Sequence, residues 1–135
     1  MTYYLDTNIC TGHLDGTSDE LRLLLEKTTF GKVKIPAMVA AELLHSAEKH
    51  KKRIEHIRVV KQFLSLFEIA PFDENAAAHY AAIRDNLERK GQGIGNNYLI
   101  TAATVMAGGG TLVTNNADKY SRVEGLHSAS IIVSS

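Results

Sequence analysis

Short apolar runs that alternate with helix-patterned stretches are the feature that most constrains this chain. Tyr3-Tyr4-Leu5, Val33-Lys34-Ile35, Phe67-Glu68-Ile69 and Thr111-Leu112-Val113 read as strands, with a fifth at Ala129–Val133. Between them the apolar spacing switches to helical. Leu21, Leu24 and Leu25 follow Ser18, an N-cap residue, with Asp19 and Glu20 where the helix dipole favours negative charge. Val39, Leu43 and Ala47 step by four after Pro36, and Ile54, Ile57, Val60, Leu64 and Phe67 step by three or four, which predicts a pair of antiparallel helices. Asp73 caps a helix with the apolar face Ala76, Tyr80, Ile83 and Leu87, stopped by Gly91, and a further helix runs from Asn96 to Ala107 and ends at Gly108-Gly109-Gly110.

Strands separated by helices cannot pair as hairpins, so they pair in parallel through right-handed crossovers. The predicted fold is α/β, a three-layer sandwich with a central parallel sheet of four to five strands flanked by helices. A length of 135 residues is one domain's worth, and residues 1–135 are read as a single domain. Hydrophobic residues at 44% and charged residues at 22% exclude wholesale disorder. No apolar run reaches the roughly 20 residues that span a bilayer, and Met1–Asp6 lacks the basic start of a signal peptide. One cysteine, Cys10, reads as a small packed hydrophobe, and cysteine usage fits a reducing cytoplasm. The six histidines lack zinc spacing. Residues 91–95 are glycine-rich but follow no strand and precede no Lys-Ser/Thr, so they are neither a dinucleotide nor a phosphate loop.

In open parallel sheets ligands bind outside the carboxyl ends of the strands, and Asp6 sits at such an end, followed by Thr7-Asn8. An acid there either caps the next helix or belongs to a phospho-acceptor receiver, an aspartyl-phosphate hydrolase or a metal-dependent nuclease. The hydrolase pattern wants a second Asp where Asn8 stands. Glu42 is the second candidate, an acid amid apolar residues early in the helix after Pro36. The third is Thr114-Asn115-Asn116-Ala117-Asp118, after the strand Thr111–Val113. Carboxylates converging from three strand ends repel unless a cation bridges them, and Mg²⁺ or Mn²⁺ accepts a few carboxylate oxygens while keeping waters. Such an ion stabilises the charge of phosphodiester cleavage and supplies hydroxide near neutral pH, which makes metal-dependent hydrolysis of nucleic acid the natural hypothesis.

Leu5-Asp6-Thr7-Asn8-Ile9-Cys10, Ala41-Glu42-Leu43, Gly95-Asn96-Asn97-Tyr98-Leu99-Ile100-Thr101-Ala102-Ala103, Leu112-Val113-Thr114-Asn115-Asn116 and Arg122-Val123-Glu124-Gly125-Leu126 together resemble the PIN-domain family, in particular its VapC-type ribonuclease toxins of bacterial toxin–antitoxin pairs. The resemblance implies a PIN-like sandwich, Mg²⁺- or Mn²⁺-dependent endonuclease activity on RNA, a homodimer, and neutralisation by a small cognate antitoxin. It places Asp6 and Glu42 at family metal-site carboxylates. The next family motif reads approximately Gly-Pro-Asn-Asp-Leu-Leu-Ile-Ala-Ala, and its Asp falls at Tyr98, a neutral phenol and a poor Mg²⁺ ligand. Two further family locations hold Asn116 and Lys119, and Asp118 between them is the carboxylate expected to reach the site directly or through water.

The resulting expectation is a metal-dependent endoribonuclease with Asp6, Glu42, Asn116 and Asp118 in the catalytic set, Asp6, Glu42 and Asp118 as metal ligands, and activity impaired at Tyr98. The alternative is a non-catalytic PIN-fold protein that engages an antitoxin or RNA without cleavage. Thr7 and Asn8 are expected beside the metal and substrate. From Glu48 to Lys61 six basic and two acidic side chains leave an excess of four positive charges, so Lys51, Lys52 and Arg53 are expected to contact RNA phosphate.

Overall fold

The computed structural model describes residues 1–130. Its order is β1 (Tyr3–Leu5), α1 (Thr7–Leu14), α2 (Glu20–Lys27), a 3₁₀ turn (Phe30–Lys32), β2 (Val33–Pro36), α3 (Ala37–Glu48), α4 (Arg53–Leu64), β3 (Glu68–Ala70), α5 (Glu74–Arg89), α6 (Asn96–Gly108), β4 (Thr111–Val113), α7 (Ala117–Tyr120) and β5 (His127–Ala129). All strand pairs are parallel, in the order β3-β2-β1-β4-β5. The fifth strand therefore lies two residues earlier than its apolar run suggests, and residues 131–133 of that run fall outside the described residues. No described helix is long and apolar enough to cross a membrane.

Alternation along the strands builds two cores, one on each face of the sheet. Leu5, Val33, Ile35 and Val113 face one way and pack with Ile9, Leu21, Val39, Leu43 and Phe63 from α1 to α4. Tyr4 and Leu112 face the other way, against Ile83, Leu87, Leu99 and Val105 from α5 and α6. Residues 49–52 fold α4 back against α3, as the two apolar stripes require. The Asp73 carboxylate accepts from Ala76 N–H at 3.0 Å and caps α5 as its sequence context predicts, whereas the N-cap of α2 is Asp19 and Ser18, one residue further out, accepts from the Glu20 N–H through its hydroxyl. The glycine-rich loop is pinned through buried Ile94, and Gly95 takes φ 96° at the start of α6, a left-handed turn that only glycine adopts without strain.

Chain order sets the site. The sheet grows from β1 outward to β2 and β3, then returns to β1's other side for β4 and β5. The direction reverses between β1 and β4, and the crevice at their carboxyl ends is where open α/β sheets bind ligands. Tyr3 pairs with Thr111, Tyr4 with Leu112 and Leu5 with Val113, so the next residues, Asp6 and Thr114, stand side by side at that reversal.

A carboxylate cleft at the sheet reversal

Asp6 is 5% exposed and is the N-cap of α1. Its Oδ1 accepts from the Thr7 N–H at 2.9 Å and from the Tyr120 hydroxyl at 3.4 Å, and its Oδ2 accepts from the Thr114 hydroxyl at 2.6 Å. Three donors on a carboxylate with about four acceptor sites hold it in one orientation and leave capacity for one more partner. Register explains the shortest of these bonds, because Thr114 is the strand neighbour of Asp6.

Glu42 is the sixth residue of α3, beyond the first turn where the helix dipole acts. Instead the Thr7 hydroxyl donates to its Oε1 at 2.9 Å. Thr7 thus touches both acids, one through its backbone and one through its side chain. Asp6, Thr7, Asn8, Glu42, Asn97, Tyr98, Asn116 and Tyr120 line a cleft of about 90 Å³.

Tyr98, half-buried, lines the cleft from α6. Its hydroxyl accepts from Asn116 Nδ2 at 3.2 Å, its ring meets Tyr120 edge-on at 5.6 Å, and Lys119 Nζ lies over it at 4.4 Å. The Asn116 N–H in turn donates to Thr114 Oγ1 at 2.9 Å. A continuous chain of contacts therefore runs from Tyr98 through Asn116, Thr114, Asp6 and Thr7 to Glu42.

Asp118 does not join the cleft. It is exposed on α7 and is not among the lining residues. Helical geometry is the reason: Asn116 and Tyr120, four apart, share the face that looks inward, while Asp118 lies two residues from each and faces away. Among the described residues no third Asp, Glu, His or Cys combines with others into a metal-holding group. Lys51 and Lys52 in the turn after α3 and Arg53 at the start of α4 are exposed and do not line the cleft, and Arg53 pairs with Glu48 at 2.9 Å. From Glu42 to the end of α3 at Glu48 the helix alone extends roughly 9 Å.

Sequence reasoning missed Tyr120 altogether and noted Thr114 only as part of the segment that follows β4. The spacing of Tyr120 four residues after Asn116 is the one sequence signal that points to it. Burial, reinforced by the Asp6 carboxylate, pushes the Tyr120 phenol far above the usual tyrosine range, so it stays a donor. Cys10, fully buried on α1, is raised the same way by burial and then by Asp6, which keeps it a thiol with no nucleophilic character.

The PIN domain family model matches residues 3–126. Ribonuclease VapC2 of Rickettsia felis is 38% identical over 130 residues, 93% of this chain and 95% of that protein. The tRNA(fMet)-specific endonuclease VapC of Shigella flexneri is 30% identical over 126 residues, covering 93% of this chain and 95% of the relative. Among solved structures, VapBC2 of Rickettsia felis bound to a promoter DNA fragment superposes with a TM-score of 0.88 at 35% identity, over 96% of this chain and 98% of that chain. DNA-bound VapBC of Salmonella typhimurium superposes at 0.90 with 28% identity, over 96% and 98%. With a parallel sheet in this order, a carboxylate pair at its reversal and these relatives along nearly its whole length, the chain belongs to the PIN domain family, among its VapC-type ribonucleases.

Proposed function

We propose that this chain is an endoribonuclease toxin of a toxin–antitoxin pair, that it depends on Mg²⁺ or Mn²⁺, and that Tyr98 depresses its rate. The observation that carries the reading is the pair Asp6 and Glu42, brought from β1 and α3 to one cleft and joined through Thr7. The donor set suits such an ion. Mg²⁺ is usually held by one or two carboxylates and keeps several waters. A cleft of about 90 Å³ has room for such waters. Asp6 and Glu42 would hold the ion, with the Asn116 amide oxygen beside them. Bound there, it supplies positive charge against the phosphate oxygens and a nucleophile near neutral pH.

The chain's own residues do the positioning. Thr7 fixes Glu42 relative to Asp6, Thr114 and Tyr120 fix Asp6, and the exposed Asn8 and Asn97 amides offer hydrogen bonds to substrate at the rim. Lys51, Lys52 and Arg53 would hold RNA phosphate outside the cleft, through charge rather than through the reacting bond. The VapBC complexes among the structural relatives support a small antitoxin protein as partner, and we extend the reading to a homodimer in the cytoplasm.

Loss of a ligand carboxylate commonly costs orders of magnitude in rate. RNA cleavage in Mn²⁺ by the chain and by its Tyr98→Asp variant tests the reading. The variant is expected to cleave at least about tenfold faster, and Asp6→Ala is expected to abolish cleavage in both. Equal rates overturn the impairment. One observation favours a second reading, a non-catalytic binding protein: the phenol of Tyr98 is hydrogen-bonded and packed at the position where the resemblance implies an acid. Calorimetry with Mn²⁺ separates the two, since heat that disappears in Asp6→Ala belongs to the nuclease reading and no heat at all to the other.

A further inference from the structure

Tyr98 and Lys119, which the resemblance places at two acidic positions of the family, touch in the fold. Lys119 Nζ lies 4.4 Å from the centre of the Tyr98 ring. Among the described residues Lys119 joins none of the ion pairs, so the ring is the partner its charge has. Tyr98 lines the cleft and Lys119 does not. The ring is itself fixed, by the Asn116 amide on its hydroxyl at 3.2 Å and by Tyr120 at 5.6 Å. It carries the Lys119 ammonium on its ring and lines the same cleft as the Asp6 and Glu42 carboxylates.

We propose that Lys119 is a second determinant of cation binding in this cleft, a resident counter-ion that Tyr98 holds off the carboxylates. The proposal rests on the reading of the cleft as a divalent-metal site. An aromatic face attracts an ammonium ion and parks it. A carboxylate at position 98 removes that face and puts a negative charge in its place. Lysine is a compact charge on a flexible four-carbon stem, and its ammonium then follows the new carboxylate inward. In a partly buried cleft the resulting pair is weakly screened. It neutralises the acid that a divalent ion needs, so the ammonium and the metal compete. Restoring the acid alone recovers only part of the site, because the two replacements compensate each other.

Manganese binding, read by electron paramagnetic resonance or calorimetry on the full chain, tests this without any need for turnover. The variants are Tyr98→Asp, Tyr98→Asp with Lys119→Gln, and Tyr98→Asp with Lys119→Arg, each checked for folding by circular dichroism. The Gln double variant is expected to bind Mn²⁺ roughly 10- to 100-fold tighter than Tyr98→Asp alone, the span that supporting residues around metal sites command. The Arg double variant, which keeps the charge, is expected to stay with the single one. If Tyr98→Asp alone binds as tightly as the Gln double variant, or if the Arg and Gln forms bind alike, Lys119 has no such role and the metal reading stands. If no variant binds Mn²⁺, the metal reading fails and takes the inference with it. Should loss of the Tyr98 ring prevent folding, Lys119→Gln in the otherwise unchanged chain keeps that packing. It is expected to tighten Mn²⁺ binding by a smaller factor, and unchanged affinity there overturns the proposal.

Discussion

Thr7 does more in this cleft than its place after Asp6 suggests. Its N–H and its hydroxyl reach different carboxylates at the same distance, 2.9 Å, so one residue ties the end of β1 to the middle of α3. Two acids so close repel, and each hydrogen bond offsets part of that repulsion. Thr7→Val keeps the shape and the backbone bond but removes the hydroxyl. Its expected effect is a loss of about tenfold in Mn²⁺ affinity with little change in melting temperature. Unchanged affinity in calorimetry would show that Glu42 is held without Thr7. Tyr120 gives a second residue-scale outcome, with a definite sign. Its folded pKa is raised by burial and then by Asp6. Below the unfolded tyrosine value of about 10 both states are protonated and its contribution to stability is complete. Above it the unfolded chain ionises while the folded one holds its proton, so stability falls as pH rises. Urea denaturation between about pH 9 and 11 should show that fall, and Tyr120→Phe should make it shallower.

At the scale of elements, α7 decides which acid reaches the cleft. Four residues long, it turns Asn116 and Tyr120 inward and Asp118 outward. Apolar periodicity gives no sign of such a helix, because one turn is too short to repeat an apolar stripe. The same holds for α1, whose residues Thr-Asn-Ile-Cys-Thr-Gly-His-Leu carry small, polar and β-branched side chains with no visible period, yet whose N-cap is Asp6. Longer elements were legible: α3, α4 and α5 follow the apolar spacing, and α6, buried continuously from Thr101 to Val105, is marked by the glycines at its end. The α3–α4 turn carries Lys51 and Lys52 into solvent, away from the cleft. For RNA contacts at that turn, the double variant Lys51→Ala/Lys52→Ala should weaken binding whatever the RNA sequence. In an Asp6→Ala background, expected not to cleave, the slope of log affinity against log salt should fall by about 0.7 for each phosphate that a lysine no longer neutralises. An unchanged slope would remove this turn from the RNA-binding surface.

For the whole molecule, the parallel sheet and its two cores set both stability and the position of the cleft. Leu112 is fully buried in the core under α5 and α6, on the strand next to β1. Leu112→Ala is expected to cost about 2–5 kcal/mol in urea denaturation, through reduced apolar burial and the cavity left behind. A cost under about 1 kcal/mol would mean that the core refills around it. The strands and their parallel pairing follow from short apolar runs spaced by helices, whereas the reversal of chain order between β1 and β4 is read from the sheet itself. The carboxyl ends of those strands were therefore legible as the place for chemistry, and Asp6 and Glu42 as acids near it.

What the sequence by itself determined is the kind of fold, the family, and the two candidate acids, Asp6 after β1 and Glu42 on α3, because apolar period and motif order are local properties of the chain. Tertiary structure alone decided that Thr7 joins those acids, that Thr114 and Tyr120 grip Asp6, that Asp118 stays out of the cleft, and that Lys119 lies over the Tyr98 ring. Those relations depend on strand register and on which face a single helical turn presents. Both are set only when distant segments pack.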